Sequence, residues 1–138
     1  MQSFGRFRFL FTTFLIFSSS IYGLGSESKN LDNFTGRYLG EIESSRKMLP
    51  SITIFKLKDG VISGEYIIYE TNRLSSGKLS SCKVVERNIL ECRWQDKYGN
   101  GNLVVAFSKD FQRLVGEWDV DGDDIQYRWD GLKYSINR

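Results

Sequence analysis

The sequence predicts an all-β domain, an eight-stranded antiparallel up-and-down barrel with short hairpin loops and one cross-strand disulfide. Three observations carry this. From Phe34 onward the chain divides into short segments punctuated by turn residues, the spacing of a barrel or sandwich. Within the segments apolar and polar residues alternate, the period of a half-buried strand. No long stretch shows helical periodicity.

The elements follow in order. Segment 34–43 is the first strand. Segment 51–58 is the second, closed by Asp59-Gly60, a strong hairpin signal. Segment 61–71 is the third and is rich in Ile, Val and Tyr. Residues 72–77 read as a loop. Segments 78–85 and 89–95 form a hairpin around Glu86-Arg87-Asn88. Tyr98-Gly99-Asn100-Gly101 reads as a turn. Segments 102–108 and 113–120 form another hairpin around Asp110-Phe111, and the acidic loop 121–124 leads into the eighth strand, 125–133. All connections are short, so sequential strands should pair antiparallel. Gly36, Gly40, Gly64, Gly116 and Gly131 fall within strands, where glycine marks bends or close backbone approach.

Alternation assigns the two faces. Tyr38, Ile42, Tyr66, Ile68, Leu90, Trp94, Leu103, Val105, Phe107, Leu114, Trp118 and Trp129 share the inward parity. Arg37, Glu41, Glu65, Lys83, Glu91, Arg93, Glu117, Arg128 and Asp130 share the outward one. A charged outer face argues against an outer-membrane barrel, whose lipid face must be apolar.

Residues 1–25 read as a signal peptide. Arg6 and Arg8 precede an apolar run from Phe9 to Phe17, then serines and the small residues Gly23 and Gly25. That run is about half the ~20 residues a membrane span needs, so no span is expected after cleavage. The location expected is secreted or periplasmic. Residues 26–33 read as a flexible polar arm, and 34–138 as a single domain. The full chain has 19 Lys+Arg and 17 Asp+Glu. Removing the leader's two arginines leaves basic and acidic residues balanced. Neither net charge nor any basic stripe points to nucleic acid. The chain has no histidine, which excludes His-based triads, His-ligated metals and His pH switches.

Cys82 and Cys92 are the only cysteines. In an exported chain such a pair is expected to join. A three-residue loop with Asn88 left-handed pairs Val85 with Ile89, Val84 with Leu90, Lys83 with Glu91 and Cys82 with Cys92. That register places opposite charges and two cysteines across from each other. The spacing is not C-x-x-C, so a structural role is expected rather than a redox one.

Several short pieces resemble the small up-and-down barrels of the avidin and lipocalin-like group. They are Phe34-Thr35-Gly36-Arg37-Tyr38, Asp59-Gly60 with Gly64-Glu65-Tyr66, Leu114-Val115-Gly116-Glu117-Trp118 and Trp129-Asp130-Gly131-Leu132-Lys133. Together they cover most of the chain after the leader. The resemblance implies a barrel that binds a small molecule in its mouth. The polar ligand set of avidins has no residue-by-residue counterpart here, so biotin is not expected.

The sequence offers four candidate chemistries. Tyr66, Trp94, Trp118 and Trp129 lie on different strands with inward parity and either line a ligand pocket or fill the core. Asp119, Asp121, Asp123 and Asp124 form an acidic loop, but its glycine comes too early for an EF-hand, so a hairpin turn is favoured over calcium. The carboxylates fall mainly at outward or turn positions, so no enzyme and no cofactor is expected. Asn33-Phe34-Thr35 is a sequon whose use depends on the source. The leading expectation is a non-catalytic binding protein for a small apolar or aromatic ligand at a mouth lined by Tyr66, Trp94, Trp118 and Trp129. The alternative is a protein-interaction module, such as an inhibitor of an extracytoplasmic enzyme, reaching with arm 26–33 and the apparent loops Arg46-Lys47-Met48-Leu49 and Asn72-Arg73-Leu74.

Overall fold

A computed structural model describes residues 31–136. A 3-10 helix, Leu31–Phe34, precedes eight strands. These are β1 (Gly36–Ser44), β2 (Lys47–Lys58), β3 (Val61–Glu70), β4 (Arg73–Glu86), β5 (Ile89–Asp96), β6 (Gly99–Phe107), β7 (Arg113–Trp118) and β8 (Tyr127–Tyr134). Each strand pairs antiparallel with the next, and β8 pairs back onto β1, closing the barrel. The expected leader and residues 26–30 of the expected arm lie outside the described residues. The last residues of that arm are folded. Leu31 packs on the core, and the Asn33 carbonyl accepts a hydrogen bond from Lys133 Nζ at 3.2 Å. Asn33 itself is exposed.

Several boundaries differ from the sequence expectation, and four of them have a clear local reason. β2 begins at Lys47 rather than 51, because β1 turns on Ser45 and Arg46, with φ of 52° and 67°. Neither residue advertises a turn with both φ positive, which Asn-Gly normally signals. Pro50 is accommodated because it pairs with Glu41 of β1, whereas pairing with β3 starts only at Ser51. β4 begins at Arg73, so 73–77 are strand rather than loop and only Asn72 of that segment stays in the turn; Leu74 and Ser75 pair with Tyr69 and Ile68. β6 begins at Gly99 rather than 102: Gly99, Asn100 and Gly101, expected in a turn, are strand and pair with Asp96, Gln95 and Trp94, because Asp96 Oδ1 accepts the Tyr98 N–H and tightens the turn onto Lys97 and Tyr98. β8 begins at Tyr127 rather than 125, because Asp123 Oδ1 accepts the Ile125 N–H and holds that stretch in a loop.

The disulfide hairpin forms with an altered tip. Lys83 pairs with Glu91 and Val84 with Leu90, as the charge and apolar pairs require. Glu86, not Val85, pairs with Ile89, and the turn is the two residues Arg87 and Asn88. Asn88 is not left-handed. Its side-chain amide donates to the Phe107 carbonyl on β6 at 3.2 Å, which fixes it there. The displaced residue becomes a bulge at Val85, and a second bulge around Ser81, at φ 51°, turns β4. Cys82 and Cys92 are bonded with Cα atoms 4.0 Å apart, joining neighbouring strands β4 and β5. The bond implies an oxidising compartment.

One end of the barrel is plugged by rings. Phe34 sits edge-on to Phe107 and Phe111, with centroids 5.1 and 5.0 Å away. Tyr38 and Phe55 pack beside Phe107. Edge-on aromatic pairs contribute about 0.5–1.5 kcal/mol each beyond area burial. The buried Tyr38 hydroxyl donates to the Phe34 carbonyl at 3.2 Å, and the Lys133 ammonium lies over the Tyr38 ring. The 3-10 helix is thereby pinned across this end.

Replacing both cysteines (Cys82→Ala with Cys92→Ala) should lower unfolding free energy by about 2–3 kcal/mol, the loop-closure entropy of so short a crosslink. Urea denaturation of the oxidised protein and the double variant checks this. Equal stabilities would show that the bond does not constrain the unfolded chain.

Candidate functional site

The hairpins β1–β2, β3–β4, β5–β6 and β7–β8 all turn at the end opposite the ring plug. Directly below them the inward positions change character. The plug half is lined by Phe, Leu and Val. The mouth half carries Ser51 and Thr53 from β2, Tyr66 from β3, Ser75 from β4 and Asp96 from β5, opposite Trp94, Trp118, Tyr127 and Trp129. Cross-strand register explains this grouping. Gly40, Ser51, Ile68 and Ser75 form one row across β1 to β4. Tyr38, Thr53, Tyr66 and Gly77 form the next row down. Any side chain at Gly77 would collide with the Tyr66 ring, so this glycine makes the room for the tyrosine.

The four aromatic residues singled out from the sequence meet in two pairs. Tyr66 lies edge-on to Trp129 with centroids 5.0 Å apart. Trp94 lies edge-on to Trp118 at 5.2 Å, and Trp118 stacks on Tyr127 at 4.5 Å. Every polar tip among them has an internal acceptor. Trp129 Nε1, on β8, donates to Thr53 Oγ1, on β2, at 2.9 Å, spanning the intervening β1. Trp94 Nε1 donates to the Asp119 carbonyl at 2.7 Å, and Trp118 Nε1 to the Glu43 carbonyl at 3.1 Å. The Tyr66 hydroxyl donates to Asp96 Oδ2 at 2.7 Å. Tyr66, Trp94 and Trp129 are buried, and only Trp118, with Tyr127, is partly exposed. Three of the four rings are therefore buried in the mouth half of the core, and the Trp118–Tyr127 stack is the partly exposed one.

Ser51 stands apart. It is 1% exposed, and its hydroxyl has no hydrogen-bond partner among the described residues. Leaving a buried hydroxyl unsatisfied costs about 1–3 kcal/mol. Ser51, Ser75 and Asp96 were not picked out as site residues by sequence reasoning. The inward parity of Ser51 and Asp96 was legible from 51, 53 and 55 on β2 and from 90, 92, 94 and 96 on β5, whereas nothing local marked Ser75 on β4.

The acidic loop is dispersed. Asp119 Oδ1 accepts the Asn102 N–H. Asp121 forms a two-point ion pair with Arg93, whose guanidinium holds the Asp121 carboxyl below its ordinary range. Asp123 caps the loop at Ile125. Among the described residues no three His, Cys, Asp or Glu side chains are grouped to hold a metal ion. The elements proposed to reach a partner protein are not all together. Hairpin tips 45–46 and 71–72 belong to the mouth end, whereas 31–34 cross the plugged end. Leu49, expected in a loop, pairs with Ile42 and packs against the core.

Fold and site together define a closed up-and-down barrel, sealed at one end, with a fold-level likeness to the avidin and lipocalin-like group. Among the described residues no helix is long and apolar enough to cross a membrane. No protein-family model, curated protein or solved structure matches the chain.

Burial pushes the Tyr38 and Tyr66 hydroxyls well above the ordinary tyrosine range, and at Tyr66 the hydrogen bond to Asp96 and the Asp96 charge add to it. A raised folded-state value favours the native barrel below the unfolded value and loses that advantage above it. The contribution of these two tyrosines should be level from neutral pH up to the ordinary tyrosine value of 10.0, and stability should fall as pH rises beyond it. Urea melts at stepped alkaline pH, read beside tyrosinate absorbance, check this. Normal titration of Tyr66 in a folded barrel would contradict the placement.

Proposed function

We propose that this is an exported, non-catalytic binding protein that takes a small apolar or aromatic molecule at the unplugged mouth. The observation that carries the reading is the orphaned Ser51 hydroxyl. Of the inward polar side chains at this end, Thr53, Tyr66, Asp96 and the indoles already have partners. A ligand group hydrogen-bonded to Ser51 would offset the cost of burying it. The remaining contact surface is flat and aromatic, the Trp118–Tyr127 stack. Mostly apolar walls with one or two convergent polar groups are the usual composition of a small-molecule site. The polar row Ser51–Ser75 sets the side on which the ligand's hydrogen-bonding group would lie. Export agrees with the disulfide and with the leader-like sequence of residues 1–25.

A second reading rests on the rim. Leu74, Tyr98 and Ile125 are exposed at the mouth end, and Arg73 ties that rim together by contacts to Glu70 and the Tyr98 hydroxyl. Such a rim would suit a protein partner seated over the mouth.

The two readings separate with a neutral fluorophore carrying one N–H, N-phenyl-1-naphthylamine. Binding at the mouth should quench tryptophan emission saturably, and Trp118→Ala should weaken it about tenfold, the scale of an aromatic anchor. Ser51→Ala should weaken it too, yet leave stability unchanged or raise it by up to about 1 kcal/mol, because no protein hydrogen bond is lost. A clear loss of stability in Ser51→Ala, or quenching that ignores both substitutions, would overturn the ligand reading. No quenching at all would favour the rim.

A further inference from the structure

The outer face of the barrel is not uniformly polar. On β5 it carries Glu91, Arg93 and Gln95, and on β6 Asn100 and Asn102, with Ile89, Val104 and Ala106 only toward the plugged end. On the opposite side, register aligns Leu132 of β8, Leu39 of β1, Ile52 of β2 and Ile67 of β3 in one row. Leu39 is 53% exposed and Leu132 59%. Pure alternation would place polar side chains at these outward positions. A run of neighbouring apolar side chains on the outside of a soluble domain marks a contact surface. Closure also removes free strand edges, so association by strand addition is barred and a partner must use a face.

Charge specifies the partner. On β1 the outward residues on either side of Leu39 are Arg37 and Glu41, two positions before it and two after. Both are exposed, and neither has an ion-pair partner among the described residues. The arrangement is self-complementary. If a second copy packs face to face about a two-fold axis that lies in the interface, perpendicular to β1 at Leu39, the two β1 strands run antiparallel. Leu39 then meets its own equivalent. Arg37 of each copy faces Glu41 of the other, giving two ion pairs around an apolar centre. The flanking strands agree. Tyr134, opposite Arg37 on β8, would face Asp130, opposite Glu41. Ile54, opposite Arg37 on β2, would face Pro50, opposite Glu41. An isologous contact requires this kind of self-matching.

We propose that the chain forms a two-fold homodimer through the outer face of β8, β1 and β2, centred on Leu39 and oriented by reciprocal Arg37–Glu41 pairs. The convexity of the barrel confines the contact to these strands, so the dimer is concentration-dependent and leaves the mouth open. It does not depend on the ligand reading.

Sedimentation velocity over a concentration series, on the protein purified after export of the full chain, tests this. The wild type should shift from monomer to dimer as concentration rises. Arg37→Glu and Glu41→Arg should each weaken the dimer at least about tenfold, since each sets like charges together twice. The double variant Arg37→Glu with Glu41→Arg restores opposite charges and should recover the dimer. Leu39→Ser should abolish it. All three substituted positions are exposed, and near-ultraviolet circular dichroism verifies that each of the four variants is folded. A wild type that stays monomeric at every concentration overturns the proposal and leaves the face to a different partner. Failure of the folded double variant to recover association overturns the two-fold arrangement.

Discussion

Where β1 meets β8, Gly40 lies directly opposite Gly131, and the two backbones pass closer than a side chain would allow. A Cβ on Gly40 would run into the Asp130 carbonyl, and one on Gly131 would meet the Tyr38 Cβ at 2.9 Å. Asp130 reinforces the seam by accepting the Glu41 N–H at 3.1 Å. Closing the sheet here turns eight strands into a barrel, and an eight-stranded interior is just wide enough for its own side chains or one small ligand. Tyr38 and Trp129 come from the two strands of this seam. The ring plug and the mouth floor therefore both depend on closure. Gly101 makes a similar approach elsewhere. It leaves space beside the Asp119 carbonyl, which accepts the Trp94 indole.

The closed interior is filled unequally. In the plugged half, phenyl rings and branched side chains meet without polar groups needing partners, apart from the Tyr38 hydroxyl, which donates to the Phe34 carbonyl. In the mouth half, polar side chains are brought inside and then satisfied in pairs: indole to threonine, indole to carbonyl, phenol to carboxylate. Burying such groups is costly unless they are bonded. The pairing holds these side chains rigidly beside the Trp118–Tyr127 stack, and among the described residues the Ser51 hydroxyl is the fully buried side-chain group left without a partner.

Much of this was legible in the residues. Alternation alone separated Tyr38, Trp94, Leu103 and Trp129 from Arg37, Glu65 and Arg93, and the charge pair Lys83–Glu91 identified the register of the disulfide hairpin. What was hidden had specific causes. Ser45-Arg46 takes up a conformation for which neither residue has a marked preference, so the start of β2 looked like loop. Residues 73–77 (Arg73, Leu74, Ser75, Ser76, Gly77) read as a turn by composition, because nothing local reveals that Ser75 and Gly77 point inward beneath Tyr66. Asn88 has turn character, but a contact with Phe107, distant in sequence, decides its conformation. The aromatic candidates were found because large inward side chains are conspicuous. Ser51 was missed because its importance lies in a partner it lacks, which only three-dimensional structure displays. The outward apolar row escaped notice because Leu39, Ile52, Ile67 and Leu132 are adjacent only after closure.

The central claim is that the mouth holds a small molecule. Native mass spectrometry of the protein purified from an oxidising export compartment, compared with the same sample denatured, tests it most directly. The account predicts a non-covalent mass above that of the disulfide-bonded chain, released on denaturation and absent from Ser51→Ala. A bare chain mass in every preparation from the native source would contradict it and return the interior to a purely structural role.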